Sequence, residues 1–287
     1  MSQPSGDLRQ DRSMVPRMGA NLAAWIATLL RPPRKAMAAR ARPLWPPTRR
    51  QWVIAGALLF LFVVTIIGLD WWIDEMAQRR LPRWVLAFFA TVTDFGKSGW
   101  FLLPLGIGIL LIAASPLQML SRVSQRVLAA LVVRLGFIFL AIGVPGLFTS
   151  IAKRLVGRGR PYLSGATDAF LYAPFAWKED YTSLPSGHAT NVVAAAIAIG
   201  AVWPQARLVM WFYAAVIMIS RVALAAHFPS DVLAGAIIGA VGAWAVRRWF
   251  ALRRLGFTVD ANGSINPLTP PSWRRIKQVA ARLLLIP

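Results

Sequence analysis

The chain has 287 residues, 57% of them apolar, and a mean hydropathy of +0.54. Its longest apolar runs can cross ~30 Å of hydrocarbon, which excludes a soluble globular domain, and the absence of cysteine excludes disulfides and thiolate metal sites. A net charge of +21 on such a chain reads as basic flanks that orient spans and attract anionic lipid, so no nucleic-acid partner is expected.

Residues 1–50 are rich in Arg and Pro, as in Arg31-Pro32-Pro33-Arg34-Lys35 and Arg49-Arg50. They predict a basic cytoplasmic tail without a packed core. Within it the apolar patch 20–30 is too short to span and reads as a surface-lying helix or a disordered tail. Residues 51–250 form the predicted membrane domain. The first span, 52–69, stops at Asp70, with Trp71 and Trp72 as interfacial anchors. The next apolar piece, 84–92, is too short to cross and reads as an interfacial or re-entrant helix ended by Asp94-Phe95-Gly96. Spans follow at 99–114 and 127–151. A loop over 154–183 carries Gly157, Gly159, Pro161 and Pro174, and three further spans lie at 186–203, 208–224 and 231–249. In the second basic tail, 251–287, Trp273, Ile276, Ala280 and Leu283 recur at helical spacing, the pattern of an amphipathic helix lying on a membrane surface.

The predicted fold is therefore all-α, a six-helix transmembrane bundle with one extra short interfacial helix. Six spans put both termini on one side. Arg122, Arg126 and Arg207 fall on that side with the basic tails, so the positive-inside bias makes it cytoplasmic. Asp70, Asp74, Glu75, Asp168, Glu179 and Asp180 fall on the opposite side.

The chemistry concentrates on that opposite side. Only two histidines occur, His188 and His227. His188 closes Pro185-Ser186-Gly187-His188 at the start of the fourth span. His227 lies in Ser220-Arg221-x5-His227-x3-Asp231, between the fifth span and the sixth. Lys153-x6-Arg160-Pro161 begins at the end of the third. Phosphoryl transfer needs the anionic oxygens held, a nucleophile in line and a proton for the leaving oxygen. Arginine binds phosphate through a planar fork, lysine adds a point charge, and amides at a helix start bind anions. If His227 and Asp231 share a helical face, the carboxylate can accept from one imidazole nitrogen and leave the other to attack. His188 can protonate the leaving group. Each motif alone is common: span-end cations are usually anchors and Pro-Ser-Gly is an ordinary turn. Three of them, in order, on one side and using both histidines, make a signal.

On these three motifs the chain resembles the phosphatidic acid phosphatase type 2 superfamily, in its membrane lipid phosphatase branch. The resemblance covers about residues 52–250, with a weaker likeness at Thr93-Asp94-Phe95-Gly96. It implies a six-helix bundle with His227 as nucleophile, Asp231 orienting it and His188 as general acid. Lys153, Arg160, Ser186, Gly187 and Arg221 would bind phosphate, with no metal and no cofactor. It assigns nothing to Arg154 or Arg158, which read as attractors of anionic headgroups or as loop decoration. The expected function is hydrolysis of a lipid phosphate or pyrophosphate, drawn from the outer leaflet of a bacterial inner membrane into a periplasmic site. Phosphatidic acid, phosphatidylglycerol phosphate, undecaprenyl pyrophosphate and lipid A phosphates all remain candidates. A lipid phosphotransferase using the same site is the first alternative, and a non-catalytic transporter or scaffold the second.

Overall fold

A computed structural model describes residues 14–43, 47–70, 81–164 and 169–284. The predicted anchors Trp71 and Trp72, and the acidic residues Asp74, Glu75 and Asp168, lie outside them. The helices in chain order are α1 (Met14–Leu30), α2 (Lys35–Arg40), α3 (Arg49–Val64), α4 (Arg83–Thr93), α5 (Gly99–Ala114), α6 (Arg122–Val156), α7 (Gly187–Val202), α8 (Arg207–Ala223) and α9 (Pro229–Leu252). Strands β1 (Phe257–Val259) and β2 (Ile265–Pro267) and helix α10 (Trp273–Leu284) complete the chain.

Thr48 and Gln51 start α3 as a reciprocal cap, in which the Gln51 amide donates to Thr48 Oγ1 and the Thr48 amide to Gln51 Oε1. The helix widens into a π turn, Thr65–Leu69, before Asp70. A 3-10 turn, Asp94–Gly96, separates α4 from α5. Among the described residues, five segments are long and apolar enough to cross a bilayer: Arg49–Leu69, Arg83–Ala114, Arg122–Val156, Pro204–Ala223 and Pro229–Leu252. The chain is an integral membrane protein. Helix α7, the predicted fourth span, has 16 residues, about 24 Å at ~1.5 Å per residue.

Helix α7 is the axis of the bundle, packed against α6, α8 and α9. Its Ala-rich sequence explains both its place and its shortness. Small side chains let three neighbours close on it, so it is buried nearly all round and needs no lipid-matched surface. The tightest seam is with α9, where Gly235, Gly239 and Ala243 recur every four residues. A Cβ at Gly235 would come 2.3 Å from the Ser186 carbonyl oxygen, and one at Gly239 2.4 Å from that of Thr190. Backbone-to-backbone packing of this kind is how membrane helices associate when burial from water contributes little.

The two tails depart from the sequence-based expectation. Residues 14–43 are not a coreless tail. Asn21 in α1 donates to the Ala113 carbonyl of α5, Trp249 donates to that of Leu29, and the Arg34 amide donates to that of Leu252. Met37 of α2 is buried in the main core beside Phe250 and Phe257. The Arg/Pro composition pointed to disorder because the segment's packing surface comes from distant helix ends rather than from itself. In the C-terminal segment, β1 and β2 pair antiparallel, and Phe257 and Val259 join the same core. Helix α10 forms as expected, but its packed stripe is Ile276, Val279 and Leu283 against the protein, and Ala280 stays exposed. The helix buries Val279 against Leu120, Val127 and Leu128 around the start of α6, while Trp273 stays exposed.

Candidate active site

All eight predicted site residues gather at one end of the bundle. Lys153 lies in the last turn of α6. That helix ends on Gly157, whose φ of 66° is the left-handed conformation that favours glycine. A Cβ there would sit 1.9 Å from the Ala173 carbonyl oxygen, so the turn that carries Arg160 back over the site admits no side chain at this position. The loop is stitched by backbone bonds: Gly159 to Leu171, Arg160 to Asp180 and Ser183 to Arg158. Ser186 is the residue before α7, Gly187 opens that helix, and His188 stands in its first turn. The Ser186 amide donates to the Asp231 carbonyl, which ties the start of α7 to that of α9. Thr190 donates to the Ser186 carbonyl and lies 3.0 Å from Thr149 of α6.

Arg160 is close enough to act electrostatically on Lys153, His188, Arg221 and His227 together, which is the convergence the motif order anticipated. Arg221, in the last turn of α8, donates through Nη1 to Thr93 Oγ1 at 2.7 Å. The Thr93–Gly96 turn forms a wall of the site: a Cβ at Gly96 would meet the His188 ring at 2.7 Å. Two of the predicted phosphate-binding residues and the predicted general acid keep buried polar atoms that no group among the described residues satisfies, namely Ser186 Oγ, Arg221 Nε and His188 Nε2. Buried polar groups are normally paired. An anion with several acceptor oxygens would satisfy such atoms.

His227 is 4% exposed and sits in the loop between α8 and α9, not on a shared helical face with Asp231. Its Nδ1 lies 2.8 Å from the Ser183 carbonyl oxygen. A carbonyl can only accept, so Nδ1 carries the proton and the lone pair is on Nε2. Asp231 Oδ2 is 3.8 Å from Nδ1. The direct carboxylate–imidazole bond expected from the sequence is thus replaced by a relay: Ser183 Oγ donates to Asp231 Oδ2 while the Ser183 carbonyl holds the ring. Burial pushes the His227 pKa below its ordinary 6.5, assisted by Arg221 and Arg160 and opposed by Asp231.

The largest departure is Arg158. It is no loop decoration but fully buried. Its Nη1 donates to Asp231 Oδ1 at 2.7 Å and to Ser230 Oγ at 2.6 Å, its Nη2 to Asp70 Oδ2 at 2.8 Å and its Nε to the Ala169 carbonyl. The guanidinium lies over the Phe228 ring, 4.3 Å from its centroid. Asp70, also fully buried, accepts from the Ser230 amide and hydroxyl. Burial disfavours both charges. For Arg158 the two carboxylates overcome it and its pKa is raised. For Asp70 burial outweighs the bonds from Ser230 and Arg158, and its pKa rises above the usual 3.8. Ser183, Ser230, Asp70 and Arg158 hold no assigned position in the three motifs, and Thr93 belongs only to the turn of weaker likeness. The one signal available for the charged pair was that Asp70, Arg158 and Asp231 all fall at the same membrane level.

The PAP2 superfamily model matches residues 134–255. A lipid A 1-phosphatase of Rhizobium johnstonii is 28% identical over 250 residues, covering 83% of this chain and 98% of the relative. A lipid A 1-phosphatase of Rhizobium etli is 30% identical over 238 residues, covering 82% of this chain and 95% of the relative. Among solved structures, a PAP2-type phosphatidylglycerolphosphate phosphatase from Bacillus subtilis is similar at 20% identity and a TM-score of 0.46, covering 67% of this chain and 92% of that one. With three intact motifs, a family match over them and a relative this similar along nearly its whole length, the chain belongs to the PAP2 superfamily.

Proposed function

We propose that this protein is a membrane phosphatase that hydrolyses a lipid phosphate through a phosphohistidine on His227. The observation that carries the reading is the set of unsatisfied polar atoms on Ser186, His188 and Arg221 beside an imidazole whose Nδ1–H is already engaged. Lys153, Arg160, Arg221, Ser186 Oγ and the Gly187 amide hold the phosphate oxygens. His227 Nε2 attacks phosphorus, the P–O bond to the lipid breaks, and His188 gives its proton to the leaving oxygen. Water, deprotonated by His188, then attacks the phosphohistidine and releases inorganic phosphate, restoring both imidazoles.

In this reading α7 also crosses, as the fourth of six spans, both termini are cytoplasmic and the site faces the periplasm of a bacterial inner membrane. The basic residues at the other end, among them Arg34, Lys35, Arg49, Arg122, Arg207, Arg247 and Arg253, support that orientation and a preference for anionic lipid around the tails. Substrate enters from the outer leaflet. Because the two relatives are named lipid A 1-phosphatases, the 1-phosphate of lipid A is the first substrate to test.

Purified protein in detergent with EDTA is expected to release phosphate from lipid A in preference to phosphatidic acid, phosphatidylglycerol phosphate or undecaprenyl pyrophosphate. Loss of activity in EDTA, with recovery on adding a divalent cation, would overturn the metal-independent chemistry. Label appearing on a second lipid instead of as free phosphate would make the protein a phosphotransferase. The pH profile gives a separate check. The nucleophile must be neutral, and its pKa is depressed, so the attacking form persists as pH falls through the ordinary histidine range. The acidic limb of kcat/KM assigned to His227 is expected below pH 6.5; a limb above that value would contradict the buried, relay-held ring.

A further inference from the structure

We propose that Asp70 and Arg158 are positioning residues for phosphoryl transfer, with Asp70 at the end of the first span clamping Arg158 so that Arg158 fixes Asp231 and, through Ser183, the His227 ring. The proposal rests on the reading of His227 as nucleophile.

The geometry leaves the Asp231 carboxylate no freedom. Oδ1 accepts from Arg158, and Oδ2 accepts from Ser183 Oγ and the Phe228 amide. Arg158 also holds the other half of the relay, because its carbonyl accepts from the Ser183 amide at 3.0 Å. The residue that orients His227 is therefore gripped by Arg158 twice, once through Asp231 and once through the backbone. Asp70 and Ser230 then set the guanidinium itself: Nη2 donates to Asp70, Nη1 to Ser230 Oγ, and Ser230 donates to Asp70 through both its amide and its hydroxyl. Arg158 has no exposed surface and its guanidinium is committed to these acceptors, so it is no phosphate ligand. The first span, whose other side chains mostly face lipid, supplies the far end of the chain of contacts.

Charge counting gives the cluster a purpose beyond packing. Two carboxylates and one guanidinium leave one surplus negative charge on side chains that have no exposed surface. Attack by Nε2 with the proton kept on Nδ1 makes the ring cationic, and the surplus charge lies on the side where that cation develops. Without Arg158, two buried carboxylates would face each other across Ser230, and one would take a proton. Asp231 would then share its charge with Asp70 and lose its fixed orientation.

The test uses the full-length protein in detergent, with lipid A as substrate and inorganic phosphate as a competitive probe. Four variants are compared: Arg158→Gln, Asp70→Asn, the double variant and His227→Ala. Arg158→Gln is expected to lower kcat about 100-fold, the cost of a roughly 1 Å misplacement of reacting groups. Asp70→Asn is expected to lower kcat about 10-fold, as loss of an outer-shell partner does. KM and the inhibition constant for phosphate should stay within about threefold of wild type, because the phosphate-holding side chains are untouched. The double variant is expected to be faster than Arg158→Gln, since removing Asp70 removes the competitor for the proton; such non-additivity marks coupled residues. Asp70→Asn with a wild-type kcat, a double variant no faster than Arg158→Gln, or a loss confined to KM would overturn the proposal. If Arg158→Gln does not fold, Asp70→Asn decides alone, because it keeps the Arg158–Asp231 pair. Full activity in His227→Ala would instead overturn the reading on which the proposal rests.

Discussion

His227→Ala is expected to abolish phosphate release from lipid A in detergent, by at least about 10⁴-fold, the scale seen when an activated nucleophile is deleted. The size follows from the lack of a substitute. The Ser183 hydroxyl donates to Asp231, and the Ser186 hydroxyl has no base within bonding distance. His188, the other histidine, stands in the first turn of α7 and in the proposed mechanism protonates the leaving group. Wild type incubated with labelled donor and quenched in alkaline detergent should carry a base-stable phosphoryl group that acid releases, and the variant should carry none. Because the His227 ring is buried and bonded to the Ser183 carbonyl, the variant should melt somewhat below wild type, and a thermal melt in detergent checks that it is still folded at the assay temperature. A folded variant that hydrolyses substrate at the normal rate would place the nucleophile elsewhere.

Gly235→Ala is the second change expected to have a large effect, although residue 235 touches no substrate. Its new Cβ would lie 2.3 Å from the Ser186 carbonyl oxygen and 3.1 Å from the Ala189 side chain. The first neighbour is backbone, so no side-chain rotation relieves it, and α7 and α9 must separate. Overpacking of this kind costs about 1–3 kcal/mol. The displaced segment is the one that presents Ser186, Gly187 and His188, and the same Ser186 amide is bonded to Asp231. Activity is therefore expected to fall by about 10²-fold, out of proportion to the loss of stability, because misplacing reacting groups by ~1 Å is enough. Gly56→Ala in α3 is the control: nothing lies within 4 Å of its Cβ, and alanine there should be neutral or slightly stabilising. Thermal melts and kcat for the pair separate the two effects. Equal behaviour of the two variants would show that the α7–α9 seam does not set the site.

What the sequence determined is what depends on local pattern. Apolar runs specify spans because the bilayer imposes one length on every crossing, so the limits of α3, α5, α6, α8 and α9 were legible to within a few residues. The three motifs placed Lys153, Arg160, Ser186, Gly187, His188, Arg221, His227 and Asp231 at one membrane level, and the topology of crossings alone was enough to bring them together. The remaining features depend on approach between distant backbones. The tautomer of His227 is set by a carbonyl 44 residues away, which no side-chain spacing encodes. Asp70 and Arg158, 88 residues apart, look like a span-end carboxylate and a loop cation, because sequence shows the charge of each but not the enclosure that makes them partners. Residues 14–43 and the β1–β2 hairpin looked like tails for the same reason. Neither holds an apolar run long enough to cross a bilayer, and the apolar surface that orders them, around Phe137, Phe250 and Ala251, exists only once α6 and α9 have packed.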